Sequence, residues 1–241
     1  MSITEKIAKK IARINEGTTF KYQQLKINRD EYTAAAKAIE RLIRKGIIKR
    51  VSTGIFYKPL KTVFGDLKPS EEETLKSYLF INGKRIAYIT GILLYNRMGL
   101  TTQVPNTIKL ASKEKRVITK IGKIKVRPVK SYVDVTNKNY HLLELLDALK
   151  DFKIIPDLDR RSAIILLRNR IEKLSENELS RLVKYSIKYP PRARALLGAL
   201  LTELRKDKLC EPLKSSLNPL TKYELGINQE VLPSAPNWNI Y

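Results

Sequence analysis

The segment "YTAAAKAIERLIRKGIIKRVSTGIFYKP", residues 32–59, constrains the fold most tightly. Its first half places Tyr32, Ala35, Ala36, Ile39, Leu42 and Ile43 at helical spacing, and Gly46 follows just past the helix end. Its second half alternates around "STG" and predicts two short strands. Such a helix needs neighbours to cover its apolar stripe, and the preceding residues supply them. Ser2 and Glu5 have the spacing of a capping box, and Ile3, Ile7, Ile11 and Ile14 fall on one helical face that ends at Gly17. Thr19–Phe20 reads as a short strand, and one or two helical turns run through Leu25. Asp30 and Glu31 suit the first turn of the next helix. Three helices and a β-hairpin in this order predict a winged helix-turn-helix over residues 1–60, with a three-helix bundle and appended hairpin as the plainer alternative. Ala34, Ala35, Ala36 and Ala38 let the third helix approach the first two closely, and Ile47, Val51 and Phe56 are expected to anchor the wing.

Beyond this domain the pattern predicts an α+β chain. Residues 61–69, with "KTVFGDLKP", read as a linker. Ser70 and Glu73 form a second capping-box spacing, opening a helix to about Tyr78. Another helix is expected from about Thr90 to Met98. "NTIKLAS", "KRVITKI" and "KIKVRPVKSYV" are strand-like, the last two turning at Gly122. "NYHLLELLDALKDF", "RRSAIILLRNRIEKL", "SENELSRLVKYSI" and "PPRARALLGALLTELRK" read as helices, the last started by Pro190 and Pro191. Residues 70–206 thus form a central mixed α/β segment followed by a helical one, and 207–241 read as an extended tail that is either mobile or lies on the body.

Charge limits the function. The 241 residues carry 47 Lys and Arg against 24 Asp and Glu, a net +23. The surplus is uneven: residues 1–60 hold 14 basic and 5 acidic groups, whereas 207–241 hold 3 and 4. A chain this basic points to a polyanion, and nucleic acid is the leading class. Aromatics are only 7%, a thin stacking platform for single-stranded RNA, so duplex DNA is favoured. No membrane partner is expected: "IAYITGILLY" is too short to span a bilayer, and the amphipathic N-terminus does not read as a signal peptide. A cytoplasmic, nucleoid-associated protein is expected.

Catalytic motifs are not evident. His141 and Cys210 are the sole residues of their types, which leaves no ordinary zinc spacing, and phosphate-binding glycine motifs are missing. The nuclease-like tripeptides Asp66–Lys68 and Asp151–Lys153 match a pattern expected about three times by chance in a chain of this composition. Neither an enzyme nor a cofactor or metal is expected.

In a winged helix, the third helix enters the major groove, which makes Thr33 and Lys37 candidate base readers and Arg41 and Arg44 candidate phosphate ligands. Tyr22 and Gln23, at the start of the second helix, are placed for phosphate. In the wing, Lys49, Arg50, Ser52, Thr53 and Lys58 are placed for flanking backbone or minor groove. Lys125, Arg127 and Lys130 form a further basic strand.

The segments "RLIRKGIIKRVSTGIFYKP", "AYITGILLYNRMGLTTQVPNTIKLAS", "KVRPVKSY" and "YPPRARALLGALL", in this order, resemble bacterial type IV antitoxins of the abortive-infection E type and, more closely, the related DUF6088-type proteins. The resemblance covers about residues 1–205. Its most specific part is carried by Tyr88, Thr90, Gly91, Tyr95, Asn96, Gly99, Leu100, Thr101 and Gln103. It implies a winged helix that binds repeats in its own promoter and represses the operon. It also implies a C-terminal part that counteracts a nucleotidyltransferase-like toxin without a stable complex. A winged-helix regulator with a ligand-sensing or oligomerisation domain and no toxin is the alternative, and a nucleic-acid enzyme stands behind both.

Overall fold

The computed structural model describes residues 2–121 and 124–241, so the turn expected at Gly122 lies outside the described residues. In chain order the first elements are α1 (Ile3–Ala12), β1 (Thr19–Lys21), a 3-10 turn (Tyr22–Leu25), α2 (Tyr32–Arg44), β2 (Lys49–Ser52) and β3 (Ile55–Tyr57). There follow β4 (Leu60–Thr62), β5 (Gly65–Leu67), α3 (Glu71–Leu79), β6 (Phe80–Ile81), β7 (Lys84–Arg85), β8 (Tyr88–Thr90), α4 (Ile92–Met98) and β9 (Thr107–Ser112). The rest are β10 (Thr119–Ile121), β11 (Ile124–Lys130), α5 (Tyr140–Asp151), α6 (Arg160–Glu172), α7 (Glu176–Ser186), α8 (Pro191–Glu203) and α9 (Asp207–Ser215). The α+β class agrees with the sequence reading. The chain divides into two compact units, one running to Lys84 and taking in Val117–Val126, the other comprising Arg85–Arg116 and Arg127–Tyr241.

In the first unit, the Ser2 hydroxyl accepts the Glu5 N–H at 3.3 Å and the Glu5 carboxylate accepts the Ser2 N–H at 3.1 Å, so α1 starts where its capping box predicts. Ile7 and Ile11 pack with Ala35, Ala38, Ile39 and Leu42 of α2. Ala35 and Ala38 keep this crossing tight, as expected, whereas Ala34 is exposed and Ala36 only partly buried. Tyr32 departs from the predicted stripe: it is 49% exposed, its ring lying 5.4 Å from that of Tyr22. Strands β1, β3 and β2 form an antiparallel sheet in that order, Phe20 facing Phe56 and Arg50 facing Phe56 from the other side. The sheet is anchored by Ile48, Ile55 and Phe56. Of the expected anchors Phe56 is buried, whereas Ile47 is 41% exposed and Val51 falls where the register shifts between Arg50 and Ser52; Ile48 and Ile55 take their place.

Two further expectations are corrected here. The stretch read as a linker holds the β4–β5 hairpin, in which Lys61 faces Asp66 and Thr62 faces Gly65. The Thr62 hydroxyl accepts the Phe64 N–H at 3.3 Å and donates to the Gly65 carbonyl at 2.8 Å, which fixes the turn. At α3, Ser70 accepts the Glu73 N–H at 3.2 Å, but the Glu73 carboxylate accepts the Thr19 N–H at 3.1 Å. A long-range bond to β1 thus replaces the second half of the expected box.

In the second unit, β8 and β9 pair antiparallel, Ile89 facing Leu110, and α4 lies between Gly91 and Gly99 as the sequence indicates. Helix α5 is buried on every side from Leu145 to Lys150, and α8 from Ala195 to Leu201, the pattern of core helices. Helix α8 packs against α5, α6, α9 and the turn Ala235–Trp238.

The segment expected as an extended tail is therefore part of the fold. Residues 207–215 are helical, and the chain end is stitched by backbone bonds from Leu225 and Gly226 N–H groups to the Tyr241 carbonyl, 2.8 and 2.9 Å. Leu225, Ile227, Leu232, Trp238 and Ile240 are buried at spacings that follow neither helix nor strand, which is why periodicity did not reveal them. The ring of Trp238 lies against Gly198, where an added Cβ would come within 2.2 Å of it. Its indole N–H donates to Thr202 Oγ1 at 3.0 Å. Gly198→Ala is expected to cost about 2–3 kcal/mol by overpacking, lowering the melting temperature by roughly 4–12 °C. The same change in a Trp238→Ala background is expected to cost little; equal costs in both backgrounds would show that the ring does not set the constraint.

Candidate nucleic-acid interface

Helix α2 exposes Thr33, Lys37, Arg41 and Arg44 opposite its buried face. Spacings of four, four and three residues place them in one stripe about 16 Å long. Lys37, Arg41 and Arg44 join no ion pair among the described residues. The sheet β1–β3–β2 flanks the helix, sharing the core through Phe20, Ile48 and Phe56. An exposed helix bearing cations, 13 residues long and beside a small sheet, matches the scale of a DNA major groove, about 12 Å wide.

The other expected residues separate into two groups. Gln23, Arg50 and Thr53 are exposed; Arg50 stacks its guanidinium 5.7 Å from the Phe56 ring, and Thr53 sits in the β2–β3 turn beside Gly54. Tyr22 is half-buried, edge-on to Phe56 at 5.1 Å, and burial raises its phenol above the ordinary value. Ser52 is engaged with the Tyr78 hydroxyl at 2.7 Å. Lys49 pairs with Asp66 at 2.9 Å, and this hydrogen bond raises its pKa. Lys58 donates to the carbonyls of Ala12 and Ile14, 3.3 and 3.1 Å, at the C-terminal end of α1. A cation there satisfies carbonyls that the helix leaves unpaired, so Lys58 holds the fold where the sequence suggested a wing contact. On β11, Lys125 and Arg127 flank buried Val126 on the opposite face by strand alternation, whereas Lys130 has the parity of Val126; all three are exposed. The boundary between the units falls between Val126 and Arg127.

A second cluster, which sequence spacing did not find, explains the family-like motif. Asp147 of α5 is 1% exposed. Its carboxylate accepts the Thr90 hydroxyl at 2.6 Å, the Tyr88 hydroxyl at 3.0 Å and the Lys150 ammonium at 3.1 Å. Tyr95 donates to Asp151 at 2.6 Å, and Lys150 also reaches Asp151 at 3.6 Å. Three residues of "YITGILLY" thus converge on one end of α5. Gly91, between them, adopts φ +74 and ψ −155, a region open in practice to glycine alone, and its α-carbon lies against Lys109. Burial raises the phenols of Tyr88, Tyr95 and Tyr189, which keeps them donors. Burial also pushes the Asp147 carboxyl up, opposed by Lys150 and the Thr90 and Tyr88 hydroxyls. The available signal was Asp147 and Lys150, an i,i+3 opposite-charge pair in a helix otherwise rich in leucine.

His141 lies 2.9 Å from Glu178, and Cys210 contacts Thr202 and the Lys206 carbonyl, so the two are engaged separately. Among the described residues, no group of three or more His, Cys, Asp or Glu is arranged to hold a metal ion. No described helix is long and apolar enough to cross a membrane.

Glu144, three residues before Asp147 on α5, is pushed up to about 7 by burial, with Asp147 adding to the shift and Arg85, Arg97 and Arg170 opposing it. Its folded value lies above the ordinary 4.5, so the stability it contributes is complete below that pH and is lost as pH rises through about 7. Glu144→Gln keeps the shape and cannot ionise. Its stability relative to the wild type should therefore rise between pH 5 and pH 8, by on the order of 2 kcal/mol in urea titrations. A difference that stays constant with pH would refute this assignment.

No curated protein matches the chain. Its fold is similar to that of the RV2827C protein from Mycobacterium tuberculosis, seen in a crystal structure, with a TM-score of 0.54 at 11% identity over 97% of this chain and 88% of that one. The model of DUF6088, a family of unknown function, matches residues 6–156, a span that holds both the α2 stripe and the Asp147 cluster, and the chain belongs to that family.

Proposed function

We propose that the protein is a sequence-specific duplex-DNA-binding regulator whose first unit is a winged helix-turn-helix, and that it serves as the antitoxin of a toxin–antitoxin pair. The observation that carries the DNA-binding reading is the α2 stripe of Thr33, Lys37, Arg41 and Arg44, exposed and without ion pairs among the described residues, beside a small sheet. In this reading, Thr33 and Lys37 meet base edges, because the N-terminal part of a recognition helix lies deepest in the groove. Arg41 and Arg44 pair with phosphates, and Arg50 and Thr53 reach the flanking backbone from the wing. Lys49, Ser52 and Lys58 have protein partners in the free chain and contribute by holding the wing in place.

The antitoxin role rests on the sequence resemblance to type IV antitoxins. It assigns repression to the first unit and protection from a nucleotidyltransferase-like toxin to the second, without a stable complex. The protein has no catalytic role in this proposal.

Mobility shifts of the protein on its own upstream DNA, against a scrambled duplex, test the first part. Binding is expected to favour the upstream duplex and, if about six phosphates are neutralised, to weaken about a thousandfold between 50 and 200 mM salt. Lys37→Ala with Arg41→Ala should weaken binding roughly a hundredfold and reduce the salt slope by about 2, with thermal melting unchanged. Equal affinity for both duplexes would overturn sequence-specific regulation. In cells expressing a neighbouring nucleotidyltransferase-like gene, the same double variant should lose repression and keep protection. Loss of protection by the folded variant would overturn the division of roles.

A further inference from the structure

The β4–β5 hairpin presents Val63 and Phe64 at its tip, 94% and 97% exposed. Every residue of β5 is exposed, and Leu60 and Leu67, which face each other at the base, are 42% and 50% exposed. The hairpin therefore stands clear of the first unit's core, with about 10 Å of paired strand behind the tip. Two adjacent large apolar side chains left in water on a built turn are a feature that needs a partner. The Thr62 hydroxyl, bonded to both Phe64 N–H and Gly65 carbonyl, holds that turn in one shape.

Charge selects the partner. The unit that carries the hairpin contains 21 basic and 9 acidic residues. Exposed Lys61 lies on β4 behind the tip, and exposed Lys68 just past the base. The hairpin's single acid, Asp66, faces Lys61 across the strands and is paired with Lys49 of β2 at 2.9 Å. That ion pair also ties the hairpin to the sheet beside α2, so the apolar tip and the cationic helix belong to one unit. Apolar residues set among lysines suit a polyanion that also offers apolar faces to stack on. Duplex DNA does so once a base step is opened.

We infer that the β4–β5 hairpin is an apolar wedge: Phe64, backed by Val63, inserts between base pairs of the DNA held by α2 and bends it. The cost of unstacking a step is offset by stacking on the ring and by the lysine–phosphate contacts that the bend brings within reach. This inference rests on the DNA-binding reading above. It adds a contact that reads the deformability of the duplex at a position α2 does not touch.

The test uses the full chain and an end-labelled duplex of its own upstream DNA. Resonance energy transfer between the duplex ends should report a bend of roughly 20–90° on binding. Phe64→Ala, which removes no buried surface, should leave melting unchanged, weaken binding about tenfold and abolish the bend. It should also leave the salt slope unaltered, because no charge is lost. Phe64→Trp should restore the bend, and its added indole emission should be quenched on binding. If Phe64→Ala binds and bends like the wild type, or the new indole stays unquenched, the wedge is refuted while the role of α2 stands. If Phe64→Ala changes only sedimentation, the tip serves a second copy of the chain and the wedge is likewise refuted. If the wild type binds no duplex, the DNA-binding reading fails and the wedge with it.

Discussion

Asp147 lies within a helix that is buried on all sides, and its carboxylate is shut off from water. An ion in that position costs several kcal/mol unless its lone pairs are met by donors held in place beforehand. The second unit meets that demand from several directions. Lys150 approaches from the next turn of the same helix, and Tyr88 and Thr90 from β8. The carbonyl of Lys150 in turn accepts Arg192 Nε at 2.8 Å, which brings in the start of α8. Removing one donor leaves a charge without its partner, so the elements are bound together more firmly than their apolar contacts alone require. The "YITG" segment therefore belongs to the support of α5, and its hydroxyls are fully occupied there.

The first unit uses its charge differently. Many of its lysines are spent inside the fold. Lys6 pairs with Glu31, Lys10 donates to the Leu25 carbonyl at 2.6 Å, Lys21 to the Ser77 carbonyl, Lys49 pairs with Asp66, and Lys58 caps α1. Lys10, Lys21 and Lys58 among them close turns and helix ends, where the backbone leaves carbonyls exposed. What remains on α2 has no such employment, which makes its stripe more informative than the net charge of the chain. The apolar hairpin tip stands out in the same way: its turn is satisfied internally, while its side chains are not.

Local signals were legible in the sequence. The Ser2–Glu5 box, the apolar faces of α1 and α2, the hairpin around Gly54 and the bracketing of α4 by Gly91 and Gly99 all depend on neighbours within a few residues. Features settled by distant contacts were not. Glu73 satisfies the Thr19 N–H across 54 positions, so a capping box was only half formed. The chain end packs through aperiodic apolar residues, and the approach of Trp238 to Gly198 is set by residues 40 positions apart. Lys58 has the sequence context of a wing residue, and its role changes because the end of α1 passes within 3.1 Å. The β4–β5 hairpin was hidden because its strands are short and bury no face, so they lack the pattern that marks a core strand.

The two units also answer to different solution variables, which gives a way to separate their roles in the intact chain. Contacts between lysines or arginines and phosphate are weakened by salt through counterion competition. The interior of the second unit is insulated from salt, since buried pairs are poorly screened. It responds to pH through Glu144, whose carboxyl loses its stabilising proton near neutrality. A function carried by the α2 stripe should therefore fade with ionic strength at fixed pH. The stability of the second unit should instead follow the pH window of Glu144, and should lose that dependence when the carboxyl is replaced by an amide.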